Sequence, residues 1–355
     1  MTYLDNAATA PLLPAVRAAM EPWWGRPVNP ASAHRDGQRA AAALERARAQ
    51  VAALLGRPAQ GVVFTSGATE ANHHALYAWT QTVGRRVAAA AIEHPSIAGA
   101  LERAEAQVVP LRVGGDGRID TATLPDVDVV CTMAANHETG VLQALPASAV
   151  LHVDATQAVG KGGLNLAPAA SVAISAHKLG GPAGIGALSL RDADAVPGWQ
   201  RGGAHERGRR AGTPDVISAI GFGAACEAAL DHGAARRVRW AAWSGRVEVA
   251  VLACGGRVAG IGAPRVPTHT CAVFPGLPGE TLVQGLDLRG IAVSSGAACA
   301  SGSSEPSPVL VAMGDPDPGS AVRISLGPGT AEADIDALIA ALPAVVAAVR
   351  AAVEG

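Results

Sequence analysis

A chain of 355 residues, 49% of them hydrophobic, is long enough to bury one large core and a second, smaller one. With 28 basic and 30 acidic side chains it carries a formal charge of −2 and no polybasic run, so neither direct nucleic-acid binding nor a membrane partner is expected. The opening "MTYLDNAATAP" puts Asp5 where an apolar leader would begin, and the late run "ALIAALPAVVAAV" is too short for a bilayer and contains Pro343, so a cytoplasmic protein is expected.

Residues 36–55 read as an amphipathic helix. Ala40, Ala43, Leu44, Ala47, Val51, Leu54 and Leu55 recur at helical spacing, and Gly56 supplies the stop. Short apolar runs follow: "VVFT", "VAAAAI", "VDVVCTM", "VLHV", "SVAIS" and "GALSL". Runs of this kind are expected of a buried, mostly parallel sheet. Helical stretches at 70–79 and 97–106 separate some of them, which is the α/β alternation. Near residue 235, "AARRVRWAAWSGRVEVAVLA" reads as a long helix linking two domains. Beyond it come short strands at 268–274 and 291–294, a Gly/Ser-rich loop at 295–308, the strand "VRISL" and a C-terminal helix from Ala331. The expected division is a large domain over 14–240 and a small one formed by 1–13 and 241–355.

Reactive residues fall repeatedly just after the apolar runs. In an open α/β sheet, ligands bind outside the carboxyl ends of the strands. Thr69, His94, His137, Asp154, Gln157, Ser175, His177 and Lys178 are therefore expected to converge on one crevice. "FTSGATEAN" turns from strand to helix through Ser66, Gly67 and Ala68, so its free N–H groups suit a phosphate; an ordinary capped turn reads the same way. Asp154 can pair with the protonated pyridine nitrogen of pyridoxal phosphate and keep the ring an electron sink, or simply cap the next helix. Gln157 can donate to the ring's phenolic oxygen. His94 can stack on a flat ring and move protons, or be structural.

Of the 28 basic residues other than His, only Lys161 and Lys178 are lysine. Lys178 follows a strand and precedes a glycine-rich turn, among apolar neighbours, where a lysine amine can condense with an aldehyde. Ser175 and His177 flank it and can bind phosphate. The five cysteines form no CxxC pair, and their odd number fits reduced thiols better than a disulfide frame. Cys299 differs from the other four: it lies in the polar loop "SSGAACASGSSEPSPVL", where a thiol can visit a substrate and then a partner. Arg323 in "VRISLGPGT" can grip a carboxylate bidentately. Arg207, Arg209 and Arg210 in "GGAHERGRRAGTPD" fit a solvated loop, an interface or a phosphate contact.

In order along nearly the whole chain, "YLDNAATAP", "NPASAH", "FTSGATEAN", "EHPSI", "NHETG", "HVDATQAVGK", "SAHKLGGPAGIGAL", "GGAHERGRRAGTPD", "SSGAACASGSSEPS" and "VRISLGPGT" resemble the NifS-like cysteine desulfurases, class V members of the fold-type I pyridoxal-phosphate enzymes. The resemblance implies an α/β fold with a mostly parallel central sheet flanked by helices and a smaller α+β domain. It implies that L-cysteine is converted to alanine with pyridoxal phosphate held on Lys178, and that Cys299 carries the sulfur as a persulfide to an acceptor protein. Asp154 would pair the pyridine nitrogen, Gln157 the phenolic oxygen, and His94 would stack on the ring. Ala68, Thr69, Ser175 and His177 would hold the phosphate. Thr213 would reach it from a neighbouring subunit, which implies a homodimer, and Arg323 would bind the substrate carboxylate.

This chain departs from the family at several points. His137 stands where the family has a second Asn that touches the cofactor, the stretch 141–150 is shorter, Ala183 replaces a Lys, and Ala297 replaces the Ser before the Ala-Cys pair. Two alternative readings stand beside the desulfurase: another class V reaction such as that of a selenocysteine lyase, and a cofactor-binding scaffold that has lost turnover.

Overall fold

The computed structural model describes residues 1–296 and 305–355. The chain opens on β1 (Thr2–Tyr3) and α1 (Pro14–Met20), followed by α2 (Arg35–Leu55), β2 (Val62–Thr65), α3 (Ala68–Thr82), β3 (Arg86–Ala90), α4 (Pro95–Arg103) and β4 (Gln107–Leu111). Next come β5 (Val129–Met133), β6 (Leu151–Asp154), β7 (Ser171–Ser175) and β8 (Gly186–Leu190). The long helix α5 (Val216–Ala253) leads to β9 (Arg257–Val258), β10 (His269–Val273), α6 (Gly279–Asp287), β11 (Ile291–Ala292) and β12 (Ser294–Ser295). After the segment 297–304, α7 (Pro308–Ala312), β13 (Ala321–Ser325) and α8 (Glu332–Glu354) complete the described chain.

Seven strands form the main sheet in the order β2-β8-β7-β6-β5-β3-β4. The run from β7 to β4 is parallel, and β8 lies antiparallel to both its neighbours. The two-residue period of a strand sends alternate side chains to opposite faces. Val63, Val87 and Val129 pack with Leu76 and Trp79 of α3 and Ile97 of α4. Their chain neighbours Phe64, Ala88 and Val130 pack with Leu44 and Val51 of α2 and Phe222 of α5. A second apolar cluster joins Leu4, Phe274, Leu282, Val322, Ile324 and Leu338, around a four-stranded sheet in the order β12-β13-β10-β9. α5 feeds both clusters, Phe222 and Cys226 the first, Trp240, Val247 and Val251 the second.

Several details differ from the sequence reading. The bridging helix begins at Val216, some twenty residues earlier than its charged stretch implied. β4 is an additional edge strand; half-exposed and interrupted by Pro110, it lacks a buried strand's apolar pattern. The 291–294 strand is two short ones: β11 pairs in parallel with β1, and β12 pairs with β13. No helix occupies 141–150. α8 continues through Pro343, so its 23 residues are long and apolar enough to cross a membrane by length and composition, contrary to the reading of its apolar core alone. Its Ile335, Leu338, Leu342, Val345 and Val346 are buried in the second cluster.

Candidate active site

A cavity of about 510 Å³ lies where β2, β3, β5, β6 and β7 end. It is lined by Ala68, Thr69, His94, His137, Asp154, Gln157, Ser175, His177, Lys178 and Arg323, with the backbone of Ala7 and Ala8. The residues expected from the sequence to converge thus meet in one place, at the carboxyl ends of parallel strands. Thr213 is exposed and does not line the cavity of its own chain. Cys299 lies outside the described residues.

Each side chain is set by its element. Asp154 is the last residue of β6, and Lys178 ends a single 3₁₀ turn that directly follows β7. The Lys178 ammonium donates to the carbonyls of Ala7 at 2.6 Å and Ala8 at 2.5 Å. Gln157 lies one turn beyond Asp154; its Nε2 donates to the Ala7 carbonyl at 2.8 Å, and its Oε1 accepts from Lys161 Nζ at 2.6 Å. Asp154 accepts from Asn72 Nδ2 at 2.9 Å and from the Thr156 backbone N–H at 3.0 Å. His94 caps α4, its Nδ1 accepting from the Ser96 N–H at 3.1 Å.

One wall is built for an anion. Helix α3 starts at Ala68, its N-cap Gly67 offers no side chain, and the first N–H groups of a helix have no intrahelical acceptor. Thr69, Ser175 and His177 line the same cavity. β8 passes directly beneath: a Cβ at Gly186 would stand 2.6 Å from Gly67 Cα, so only glycine permits the approach. A site for its phosphate, an amine at Lys178 and a carboxylate at Asp154 are what pyridoxal phosphate requires, and the cavity supplies all three.

Burial dominates the electrostatics. His137 is pushed down to about 3 by burial, reinforced by His94, Arg323 and Lys178. His177 falls to about 4 through burial and the nearby Lys178 and Lys161. Burial also lowers His94, against the pull of Asp154. Each shift favours the neutral imidazole, which offers one ring nitrogen as a hydrogen-bond donor and the other as an acceptor. Lys161 is lowered to about 7 by burial and then by Lys178 and Arg323.

Arg323, on β13, is 2% exposed. One terminal nitrogen donates to the His137 carbonyl at 3.1 Å and the other pairs with Asp5 at 2.9 Å; Nε has no partner among the described residues. His137, at the family's Asn position, stands edge-on to His94 with ring centroids 5.7 Å apart. Beside it the buried Glu138 accepts from the Ser307 hydroxyl at 2.5 Å, and burial raises its carboxyl to about 7.

Sequence reasoning missed Asn72, Ser96, His152 and Glu138. Two of them were signalled: His152 shares a strand face with Asp154 at i, i+2, and Asn72 lies one helical turn beyond Thr69. Arg207, Arg209 and Arg210 all make contacts within the chain. Arg209 and Arg207 bind the Gln60 carbonyl, and Arg210 pairs with Glu70 at 2.9 Å.

Comparison with known proteins agrees with this geometry. The family model described as aminotransferase class-V matches residues 2–338. A cysteine desulfurase of Cereibacter sphaeroides is 39% identical, the match covering 98% of this chain and 96% of the relative. Among solved structures, a NifS-like protein superimposes with a TM-score of 0.89 at 27% identity, covering 98% and 99% of the two chains. A structure described as SspA in complex with cysteine has a TM-score of 0.76 at 25% identity, covering 93% of this chain and all of the other.

Proposed function

The chain belongs to the class-V aminotransferase family, as a NifS-like cysteine desulfurase that uses pyridoxal phosphate and passes sulfur through a persulfide, and on that premise we propose how its own residues divide the work. The observation that carries the assignment is the placing of Lys178 and Asp154 in one cavity with the uncapped start of α3. When bound, the cofactor supplies a cationic ring that accepts electrons from the substrate's Cα.

The N–H groups of Ala68 and Thr69, the hydroxyls of Thr69 and Ser175, and His177 hold the phosphate. Thr213 reaches the same phosphate from the neighbouring subunit of a homodimer. With the cofactor bound, Asp154 would keep the pyridine nitrogen protonated, Gln157 would donate to the phenolic oxygen, and His94 would stack on the ring. Lys178 would hold the cofactor and, when freed by L-cysteine, would take the Cα proton on Nζ. Arg323 binds the substrate carboxylate. The Cys299 thiolate attacks the substrate sulfur; an S–S bond forms, the C–S bond breaks, and its electron pair stays with the carbon fragment that becomes alanine. The persulfide sulfur then passes to an acceptor protein. Residues 14–240 form the cofactor-binding domain, and 1–13 with 241–355 the domain that carries Cys299. The cytoplasm, where thiols remain reduced, suits this chemistry.

The test is alanine and sulfide release from L-cysteine with pyridoxal phosphate and a reducing thiol, beside Lys178→Ala and Cys299→Ser. Wild type should release both products in equal amounts. Lys178→Ala should lose activity together with the visible absorbance of the anchored cofactor. Cys299→Ser should keep that absorbance and its response to cysteine, yet release no sulfide. Full turnover by either variant refutes its assigned role.

A further inference from the structure

Beneath the cavity runs a buried chain of hydrogen bonds that the proposed chemistry has not used. Trp79 Nε1 lies 2.9 Å from Ser171 Oγ, which lies 2.8 Å from His152 Nδ1. His152 Nε2 is 3.0 Å from Asn72 Oδ1. Asn72 Nδ2 is 2.9 Å from both Asp154 Oδ2 and Ser96 Oγ, and Ser96 Oγ is 2.8 Å from His94 Nδ1. Asn72, His152 and Ser171 are wholly inaccessible to solvent.

The directions follow from the Asp154 end. The carboxylate of Asp154 only accepts, so it demands the amide nitrogen of Asn72. Asn72 Oδ1 then accepts from His152 Nε2, so the neutral ring is bare at Nδ1 and takes the Ser171 proton. An indole N–H only donates, so Ser171 also accepts from Trp79. The second Asn72 N–H goes to Ser96 Oγ, whose proton goes to His94 Nδ1. The Ser96 backbone N–H also points at that nitrogen, so His94 carries its proton on Nε2, the nitrogen that remains for the cavity.

We propose that Asn72 is a positioning residue that, anchored by His152, holds the Asp154 carboxylate and turns the Ser96 hydroxyl toward His94, whose tautomer the Ser96 backbone N–H fixes. The role toward the ring rests on the pyridoxal-phosphate reading of the cavity; the tautomer does not. A neutral His94 with Nε2–H facing the cavity can donate to the ring or to an acceptor on the substrate, but cannot take a proton there until it gives one up. His94 thus begins the reaction as a donor.

The experiment reads nitrogen-15 spectra of histidine-labelled protein, with the His94 signals identified by their loss in His94→Gln. Before cofactor is added, wild type should show an unprotonated Nδ1 and a protonated Nε2 at His94. Asn72→Leu, nearly isosteric, and Ser96→Ala, which cuts only the His94 branch, should both keep this tautomer, because the Ser96 backbone N–H still donates to Nδ1. With cofactor added, Asn72→Leu should weaken its binding about tenfold and shift its absorbance against pH, while Ser96→Ala should leave affinity within about twofold, because Asp154 keeps its Asn72 bond. A wild-type His94 protonated on Nδ1, or a folded Asn72→Leu that binds the cofactor within about twofold of wild type, overturns the proposal. A correct tautomer in a protein that binds no pyridoxal phosphate would leave the hydrogen-bond chain standing and sink the cofactor reading instead.

Discussion

Two buried arginines differ in how far their donors are used. Arg48, on α2, bonds Glu45 through Nε, holds both oxygens of Glu206 at 2.7 and 2.8 Å, and also donates to the Val62 carbonyl. Glu206 in turn accepts from the Phe64 N–H, so strand, helix and loop are tied at one point. Arg323 is equally buried, but spends its guanidinium on one carboxylate oxygen and one carbonyl, leaves Nε unused among the described residues, and lines the cavity. A guanidinium has five N–H groups. Where the fold consumes nearly all of them the residue is architecture; where it leaves some beside a cavity, a ligand can take them.

The sharpest way to break this comparison is to remove the saturated member. Arg48→Met leaves Glu206 as a buried carboxylate with only a backbone N–H, and should cost about 3–5 kcal/mol in denaturant-midpoint measurements. Adding Glu206→Gln should recover at least half of that; if the single variant is as stable as wild type, saturation is not what defines Arg48. Arg323→Lys should do the reverse. Kinetics should show kcat/KM for L-cysteine falling by about 10- to 100-fold, since a lysine cannot reproduce the fork, with a much smaller loss of stability. A loss of stability matching that of Arg48→Met would make Arg323 structural too.

Glu138 sharpens the contrast from the acidic side. Its folded carboxyl is raised to about 7 from an ordinary 4.5, chiefly by burial. The folded state therefore holds the proton that the unfolded state has lost, and stability from this group falls as pH rises through that window. Between pH 5 and 7 the loss should be about 2 kcal/mol. Glu138→Gln should flatten this part of the pH–stability curve and be the more stable protein at pH 7; an unchanged slope would show that Glu138 is ionised throughout. The smallest effect belongs to Arg246, which is 41% exposed and pairs with Glu332 and Asp336 across the surface. Arg246→Ala should change the denaturant midpoint by no more than about 1 kcal/mol.

The sequence made the scaffold of the site legible because an α/β sheet places ligands by topology. Once "HVD", "SVAIS" and "VVFT" read as buried strands, the residues after them had to converge. The missed residues lie where pairing decides the role. Asn72 reaches His152 across 80 positions and Asp154 across 82, and nothing local marks an asparagine one turn into a helix as a bridge. Arg323 illustrates the middle ground: its chemistry was readable, whereas its bond to Asp5 and its unused Nε depend on strands at opposite ends of the sequence.

That last pairing has a consequence for biosynthesis. Asp5 and Arg323 are 318 positions apart, and the carbonyls of Ala7 and Ala8 that hold Lys178 belong to the same opening segment. At about 5–20 residues per second, a ribosome needs about 16–64 s between making the two partners. For most of that interval the first segment has neither β11 nor β13 to pair with, and the seven-stranded sheet must form around an unfinished cavity. Cofactor capture is then a late event in the life of the nascent chain, one that awaits release of the last strands.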